Sequence, residues 1–255
     1  MGTISKALEM LDLFSRARPE IGLSEFVRLT GRDKATVHRH LSSLQLNGFV
    51  EQNPASRAYR LGPAILRLSA LRETTHPLRS VVRPLVIELA NAVGELAHVS
   101  ILQGKQLSPV YFADPRVHGT QIAFDESEFL PLHATSSGLA VLAFAPPALL
   151  KAVLKAPLAA FTAKTICDPD ALRDNLVKVH AEGVSLCDGT FDLEVTSLAV
   201  PLFDSTGATI GSLAVAMPRG RAEPAKLTAI RTALLAAGQA ITRSLGGVSP
   251  SRGLT

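Results

Sequence analysis

Two short helical patterns separated by a tight turn constrain the fold of this chain more than any other feature. Apolar residues recur at helical spacing over 24–30 and again from 34 to about 47. Ser24 and Asp33 are the predicted N-caps of the two helices, and Gly31 lies just beyond the end of the first. Two helices joined by so few residues are typical of a helix-turn-helix.

The second of these helices has one apolar and one polar face. Val37, Leu41 and Leu44 form a single stripe, so the opposite side is free to face a partner or is simply solvated. Arg39 lies at the centre of that side, where its guanidinium suits a bidentate contact with guanine. We expect Lys34 to contact a phosphate and four residues to face a DNA groove: Thr36, His38, Arg39 and Ser42.

A hairpin is predicted directly after this helix. Short strands over 49–52 and 58–61 flank the turn at 53–56, which makes the hairpin the wing of a winged helix-turn-helix. Arg57 and Arg60 lie on the wing or beside it. They either contact phosphates on the flank of a duplex or are solvated hairpin arginines.

Basic residues exceed acidic ones only in the N-terminal part of the chain. Residues 1–75 carry 11 Lys and Arg against 7 Asp and Glu, whereas residues 76–255 carry 15 of each. The entire net charge of +4 therefore lies where the helix-turn-helix is predicted. A local excess of this sign favours contact with a polyanion.

Several classes of protein are disfavoured by the sequence. No apolar run reaches the roughly 20 residues that a membrane helix needs, and the N-terminus lacks the order of a signal peptide. Cys167 and Cys187 follow neither a disulfide framework nor a metal-ligand spacing, and the 7 histidines are also without ligand spacing. We expect a cytoplasmic protein with reduced thiols, no bound metal and no cofactor.

A break at 74–77, where a residue before proline disfavours a helix, gives the domain boundary. We predict a DNA-binding domain over 1–75, a second domain over 76–248 and a flexible tail over 249–255. Helices are predicted over 4–15, 63–72, 77–93, 136–144, 147–153, 169–182 and 224–245, and further strands over 97–102, 107–112, 121–124, 184–187, 196–203 and 209–217. This order predicts a two-domain α+β protein whose second domain has a mainly antiparallel sheet.

Three segments of the sequence resemble the IclR family of bacterial transcription regulators. The first is DKATVHRHL at 33–41 with GFV at 48–50 and YRLG at 59–62, similar to that family's recognition helix and wing. The second is LPLHATSSGLAVLA at 130–143, and the third is VTSLAVPLFD at 195–204 followed by Gly207. Leu139 departs from the pattern, since many relatives have lysine there.

The resemblance implies the architecture and the partners of a regulator. It implies a GAF-like α/β domain that binds a small-molecule effector, and a homodimer, often a dimer of dimers, built through the N-terminal domains. It also implies binding to double-stranded operator DNA, which two recognition helices related by a two-fold axis read as half-sites. We therefore expect a sequence-specific DNA-binding regulator that acts as a repressor.

The resemblance also implies an effector site. Relatives hold the anion of their effector with N–H groups at a helix start, which matches Ser136 and Ser137, although these two serines also suit simple capping. The implied effector-binding residues are Ile122, Leu130, Ser136, Ser137, Cys187, Ser197, Ala214 and Ala216. Relatives often carry an acid where Cys187 lies and serines where Ala214 and Ala216 lie, so this site should present fewer hydrogen-bonding groups on that side. The effector is therefore expected to be small and singly anionic or partly apolar, such as a short hydroxy acid or a semialdehyde.

Three alternatives remain open at this point. One is an activator that responds to an aromatic acid. Another is a Cys-dependent enzyme with Cys187 as nucleophile, His133 or His180 as base and Asp188 as the orienting residue. The third is an architectural DNA-binding protein without an effector.

Overall fold

The chain folds as two units, the first ending at Pro77 and the second beginning at Leu78. The computed structural model describes residues 2–249. The tail predicted over 249–255 therefore lies outside the described residues except for Ser249. Within the described part of the chain, no helix combines the length and the apolar character that crossing a membrane requires.

The first unit is a small winged helix-turn-helix. Its elements are α1 (Thr3–Leu8), α2 (Leu23–Thr30), α3 (Lys34–Leu46), β1 (Val50–Gln52), β2 (Tyr59–Leu61) and α4 (Pro63–Thr75). Strands β1 and β2 pair antiparallel as the predicted wing. An aromatic row holds the unit together, because Phe26 packs edge-on against both Phe14 and Tyr59.

Two details of this unit differ from the sequence prediction. The single helix predicted over 4–15 is wrong, since α1 ends at Leu8 and a short 3-10 turn follows at Leu11–Leu13. The break lets both Met10 and Phe14 enter the core while Ile4 and Leu8 stay exposed. The N-cap of α2 is Gly22 and not Ser24, and it makes no side-chain capping bond.

The second unit is built on a six-stranded antiparallel sheet in the order β5-β4-β3-β8-β7-β6. Its elements are α5 (Leu78–Val93), β3 (Leu96–Gln103), β4 (Gln106–Ala113), β5 (Leu130–Pro131), α6 (Ser136–Phe144), α7 (Pro147–Val153), α8 (Pro169–Glu182), β6 (Ser185–Asp188), β7 (Val195–Phe203), β8 (Thr209–Pro218) and α9 (Pro224–Ser244). Helices α5 and α9 cover one face, and α6, backed by α8, covers the other. The predicted two-domain α+β fold is confirmed.

The central strand β8 presents large residues to one face and small residues to the other. Leu213, Val215 and Met217 belong to the core under α5 and α9. Ala214 and Ala216 alternate with them and therefore point to the α6 side. The small residues allow α6 to lie close to the sheet and leave room for a cavity beside its start.

The strand predicted over 121–124 is wrong. These residues belong to an irregular connection between β4 and β5 that forms no ladder with the sheet. Ile122 and Phe124 both pack inward from this irregular connection. Inward-facing residues at every second position imitate the sequence pattern of a strand.

Candidate functional site

The polar face of α3 is left free by the packing of the first unit. Val37, Leu41 and Leu44 are buried, as the sequence predicts. His38, Arg39 and Ser42 are exposed on the other side together with Lys34. The Arg39 guanidinium makes no ion pair or hydrogen bond with any residue over 2–249.

Asp33 fixes the start of α3. Its carboxylate accepts the Thr36 backbone N–H at 2.9 Å, so the predicted cap is present. Hydrogen bonds from the Thr36 backbone and hydroxyl groups hold the pKa of Asp33 below its usual value. Thr36 is half-buried, which makes it less available to a ligand than the exposed Arg39.

The two wing arginines lie in different surroundings. Arg57 has a left-handed backbone with φ of 60°, and its side chain is exposed and without an ion pair among the described residues. Arg60 donates to Glu51 at 2.6 Å, and Glu20 lies 3.9 Å away. The charge of Arg60 is therefore partly neutralised within the unit, whereas that of Arg57 is not.

In the second unit, the start of α6 is a pre-formed set of hydrogen-bond donors. Thr135 is the N-cap, and its hydroxyl accepts the Gly138 N–H at 3.0 Å. The N–H groups of Ser136 and Ser137 precede the first helical hydrogen bond and have no partner in the helix. The positive end of the helix dipole adds to them, so this point favours an anion.

The side chains around this helix start are buried and ordered by hydrogen bonds. Ser136 donates to the Ser197 hydroxyl at 2.8 Å, and Ser185 donates to the Ser136 carbonyl at 2.6 Å. Gly138 is required because a Cβ there would lie 2.4 Å from the backbone of Leu132. The segment before α6 and the strands β6 and β7 thereby hold the donors in place.

A cavity of about 120 Å³ lies beside the start of α6. It is smaller than sites for drug-sized ligands, which span about 300–1,000 Å³, and suits a small metabolite. Seven of the eight residues that the resemblance implies line it: Ile122, Leu130, Ser136, Ser137, Cys187, Ser197 and Ala216. Ala214 does not line the cavity, because it packs under α6 against Ala140 and Ala199.

Sequence reasoning missed nine of the sixteen residues that line the cavity, and two of the nine are the neighbours His98 and Phe124. Their rings contact each other in a tilted arrangement, with centroids 4.5 Å apart. The signal was non-local: only the pairing of β3 with β8 places His98 next to Ala214 on the cavity side of the sheet. Nothing in the spacing of the histidines reveals it.

The connection that carries Ile122 and Phe124 is tied to the body of the second unit by a buried ion-pair cluster. Arg221 donates to the Thr120 carbonyl at 2.8 Å and to both Glu95 oxygens, and Lys226 also pairs with Glu95. Burial opposes the ionisation of Glu95, but hydrogen bonds from the two cations outweigh it and hold the pKa of Glu95 below its usual value. This cluster positions one wall of the cavity.

The residues of the enzyme alternative are not arranged for nucleophilic catalysis. Burial raises the pKa of the Cys187 thiol to about 11, so the thiolate is scarce. Asp188 points away from the cavity and pairs with Lys164 and Arg219. His133 is bonded to the Ala159 carbonyl, and His180 stacks on Phe144, so neither adjoins the thiol.

Among residues 2–249, no cluster of His, Cys, Asp and Glu has the composition of a metal site. Cys167 is exposed and Cys187 is buried, and both are free thiols.

Known proteins resemble this chain over both units. The family model of the IclR helix-turn-helix domain matches residues 3–54, and that of the C-terminal part of the bacterial transcriptional regulator IclR matches residues 72–243. The glycerol operon regulatory protein of Streptomyces griseus is 32% identical over 251 residues, which cover 96% of each chain.

Solved structures share the whole architecture. A crystal structure from Silicibacter sp. TM1040, named as an ICLR transcriptional regulator, is 45% identical, covers 100% of both chains and has a TM-score of 0.92. An IclR homologue from Microbacterium hydrocarbonoxydans, complexed with 4-hydroxybenzoate, is 25% identical, covers 96% of this chain and 99% of its own, and has a TM-score of 0.78.

Proposed function

This chain belongs to the IclR family of DNA-binding transcription regulators, and we propose that it is a repressor whose operator binding is controlled by a small organic acid. The family consists of regulators and not of enzymes, so the enzyme alternative is wrong. The observation that carries the DNA part of the proposal is the exposed face of α3, with Arg39 at its centre and without an ion pair to any residue over 2–249. A regulator that acts on the bacterial chromosome works in the cytoplasm.

On the DNA side, Arg39 reads a guanine, and His38, Ser42 and Thr36 face the same groove. Lys34 and Arg57 contact phosphates, and Arg60 contributes less because of its ion pair with Glu51.

On the ligand side, the effector carboxylate binds the N–H groups of Ser136 and Ser137 at the start of α6. Leu130 and Ile122 contact the apolar part of the effector, and Cys187, Ser197 and Ala216 line the floor. Short hydroxy acids and semialdehydes fit the small volume. The relative with bound 4-hydroxybenzoate favours an aromatic acid as the second candidate for the effector.

The regulator acts as a homodimer through its first unit, and two dimers associate further. Helix α4 supports this, because Ala64 is its only buried residue among 13, and Leu66 and Leu71 are 75% and 56% exposed. A solvated helix of this length is marginal in water, so α4 requires a partner. A two-fold axis there presents two α3 helices to half-sites about one helical turn, or a multiple of it, apart.

A mobility-shift titration tests the proposal. The purified chain is titrated onto DNA from the region beside its own gene and onto unrelated DNA, with and without lactate, pyruvate, succinic semialdehyde and 4-hydroxybenzoate. We expect a specific shift that at least one acid weakens, whereas an acid that strengthens it would favour the activator. No preference for the cognate DNA would overturn the DNA part, and a shift that no acid alters would favour an architectural protein.

A further inference from the structure

The wall of the cavity away from α6 carries a buried imidazole with an unused nitrogen. His98 lies in the middle of β3, in register with Phe112 on β4 and Ala214 on β8. It is 5% exposed, lines the cavity and contacts the Phe124 ring. The effector-binding set implied by the resemblance does not include it.

One side of the His98 ring is already occupied. Nδ1 lies 3.2 Å from the Ser100 hydroxyl, which is itself fully buried. Nε2 makes no hydrogen bond with any residue that the structure describes, although the ring borders the cavity. Because Nε2 borders the cavity and has no protein partner among the described residues, it is free to hydrogen-bond a ligand atom there.

The ring is uncharged at neutral pH. Burial lowers the pKa of His98 to about 4. The titratable groups on the cavity wall besides His98 are the Cys187 thiol, which is neutral, and the Asp192 carboxylate, which accepts a backbone N–H of Glu194. A neutral imidazole offers one N–H and one lone pair, so its Nε2 exchanges a single hydrogen bond with a polar ligand atom.

We infer that His98 Nε2 hydrogen-bonds a second oxygen of the effector, so that the effector class is a small monocarboxylic acid with a hydroxyl or carbonyl group. The inference rests on the proposed function, because it takes the carboxylate to bind at the start of α6. The cavity then has two polar ends, with Ile122, Phe124 and Leu130 between them. A site that pairs a substrate oxygen discriminates strongly against the analogue that lacks it, because its own polar atom is left unpaired.

Matched acids test the inference by titration calorimetry on the full chain without DNA. The pairs are lactate and pyruvate against propionate, and 4-hydroxybenzoate against benzoate. We expect the oxygen-bearing member of at least one pair to bind the unsubstituted chain at least tenfold more tightly. In His98→Phe and His98→Leu this ratio should fall to within about threefold, with the affinity for the deoxy member unchanged. His98→Gln, which keeps a polar side chain, should retain part of the ratio.

The outcomes separate this inference from the proposed function. The inference is overturned if folded His98→Phe or His98→Leu keeps the affinity ratio between the oxygen-bearing and the deoxy acid. It is also overturned if the unsubstituted chain discriminates within no pair, or binds none of these acids. If neither apolar variant folds, the imidazole ¹⁵N resonances of unsubstituted protein decide. The Nε2 signal must move with the oxygen-bearing acid and stay in place with the deoxy acid, and any other result overturns the inference. Acids that bind with this ratio but leave the DNA complex unchanged contradict the proposed function alone.

Discussion

The two units expose their chemistry in opposite ways. In the first, the polar residues of α3 are those that packing does not use, and they lie on one continuous helix. In the second, the candidate site is a partly open cavity whose wall comes from β3, β5, β6, β7, β8, the start of α6 and the connections between strands. A site on one helix face tolerates change in its own residues, whereas a cavity built from several segments depends on every segment that shapes it.

The sharpest test of that contrast is Gly138→Ala in the second unit. The added methyl group meets the Leu132 backbone, which cannot rotate away, so we expect a loss of about 3 kcal/mol or more in the free energy of unfolding, despite the better helix propensity of Ala. Urea denaturation measures it. Gly119→Ala is the matched control, since its Cβ meets nothing within 4 Å. Equal stability of the two variants would show that the Leu132 backbone does not pack tightly against Gly138 at the start of α6.

In the first unit, Arg39→Ala should leave folding intact and weaken operator binding by about 1–3 kcal/mol, because it removes a guanine contact. The measurement is a mobility shift on operators substituted at single base pairs, where sequence preference should relax at one position per half-site. Gln45→Ala, an exposed change off the predicted groove face of α3, is the control. An unchanged operator preference in the Arg39 variant would contradict its assignment.

Acid should destabilise the second unit through His98. Its pKa is about 4 in the folded state against 6.5 for a solvated histidine of the unfolded chain, so the unfolded chain binds the proton first. Stability is therefore lost as pH falls from about 6.5 to 4, and we expect a loss of about 2 kcal/mol between pH 7 and pH 5 from this residue. Urea denaturation across that range should show the loss in the unsubstituted protein and a smaller one in His98→Phe. Identical pH profiles would mean that His98 is solvated in the folded state.

The smallest expected effect distinguishes the two wing arginines. Arg57→Ala removes a charge that has no ion pair within the described part of the chain. It should weaken binding to all DNA sequences alike and lower the slope of log affinity against log salt by about 1. Arg60→Ala should change this slope less, because Glu51 already neutralises part of its charge. Equal slopes in the two variants would show that the ion pair opens on DNA.

Sequence reasoning succeeded where the signal is local. The stripe of Val37, Leu41 and Leu44 together with the cap at Asp33 predicts α3 and hence its free face. It failed for α1, because the single helix predicted over 4–15 included both the exposed Leu8 and the buried Phe14. Which apolar residues enter the core there depends on a turn that periodicity does not reveal.

The candidate cavity shows the limit of the same method. Seven of its residues were reached through family resemblance, because residues such as Ser197 and Ala216 carry no periodic or charge signal of their own. His98 was missed since its place depends on strand pairing, and Phe124 was assigned to a strand that does not exist. Residues of such a cavity come together through the pairing register of strands that are distant in sequence, and a single sequence does not reveal that register.

The alternation of large and small residues along β8 has a consequence for how this protein can change over time. A slip of one residue in the pairing of β8 would turn Leu213, Val215 and Met217 toward α6 and fill the cavity, while the alanines would leave voids under α5 and α9. Substitutions in this strand change the volume of the cavity or of the core by one side chain at a time. An insertion or deletion of a single codon there exchanges the two faces at once, so the length of this strand should be far less free to vary than its composition.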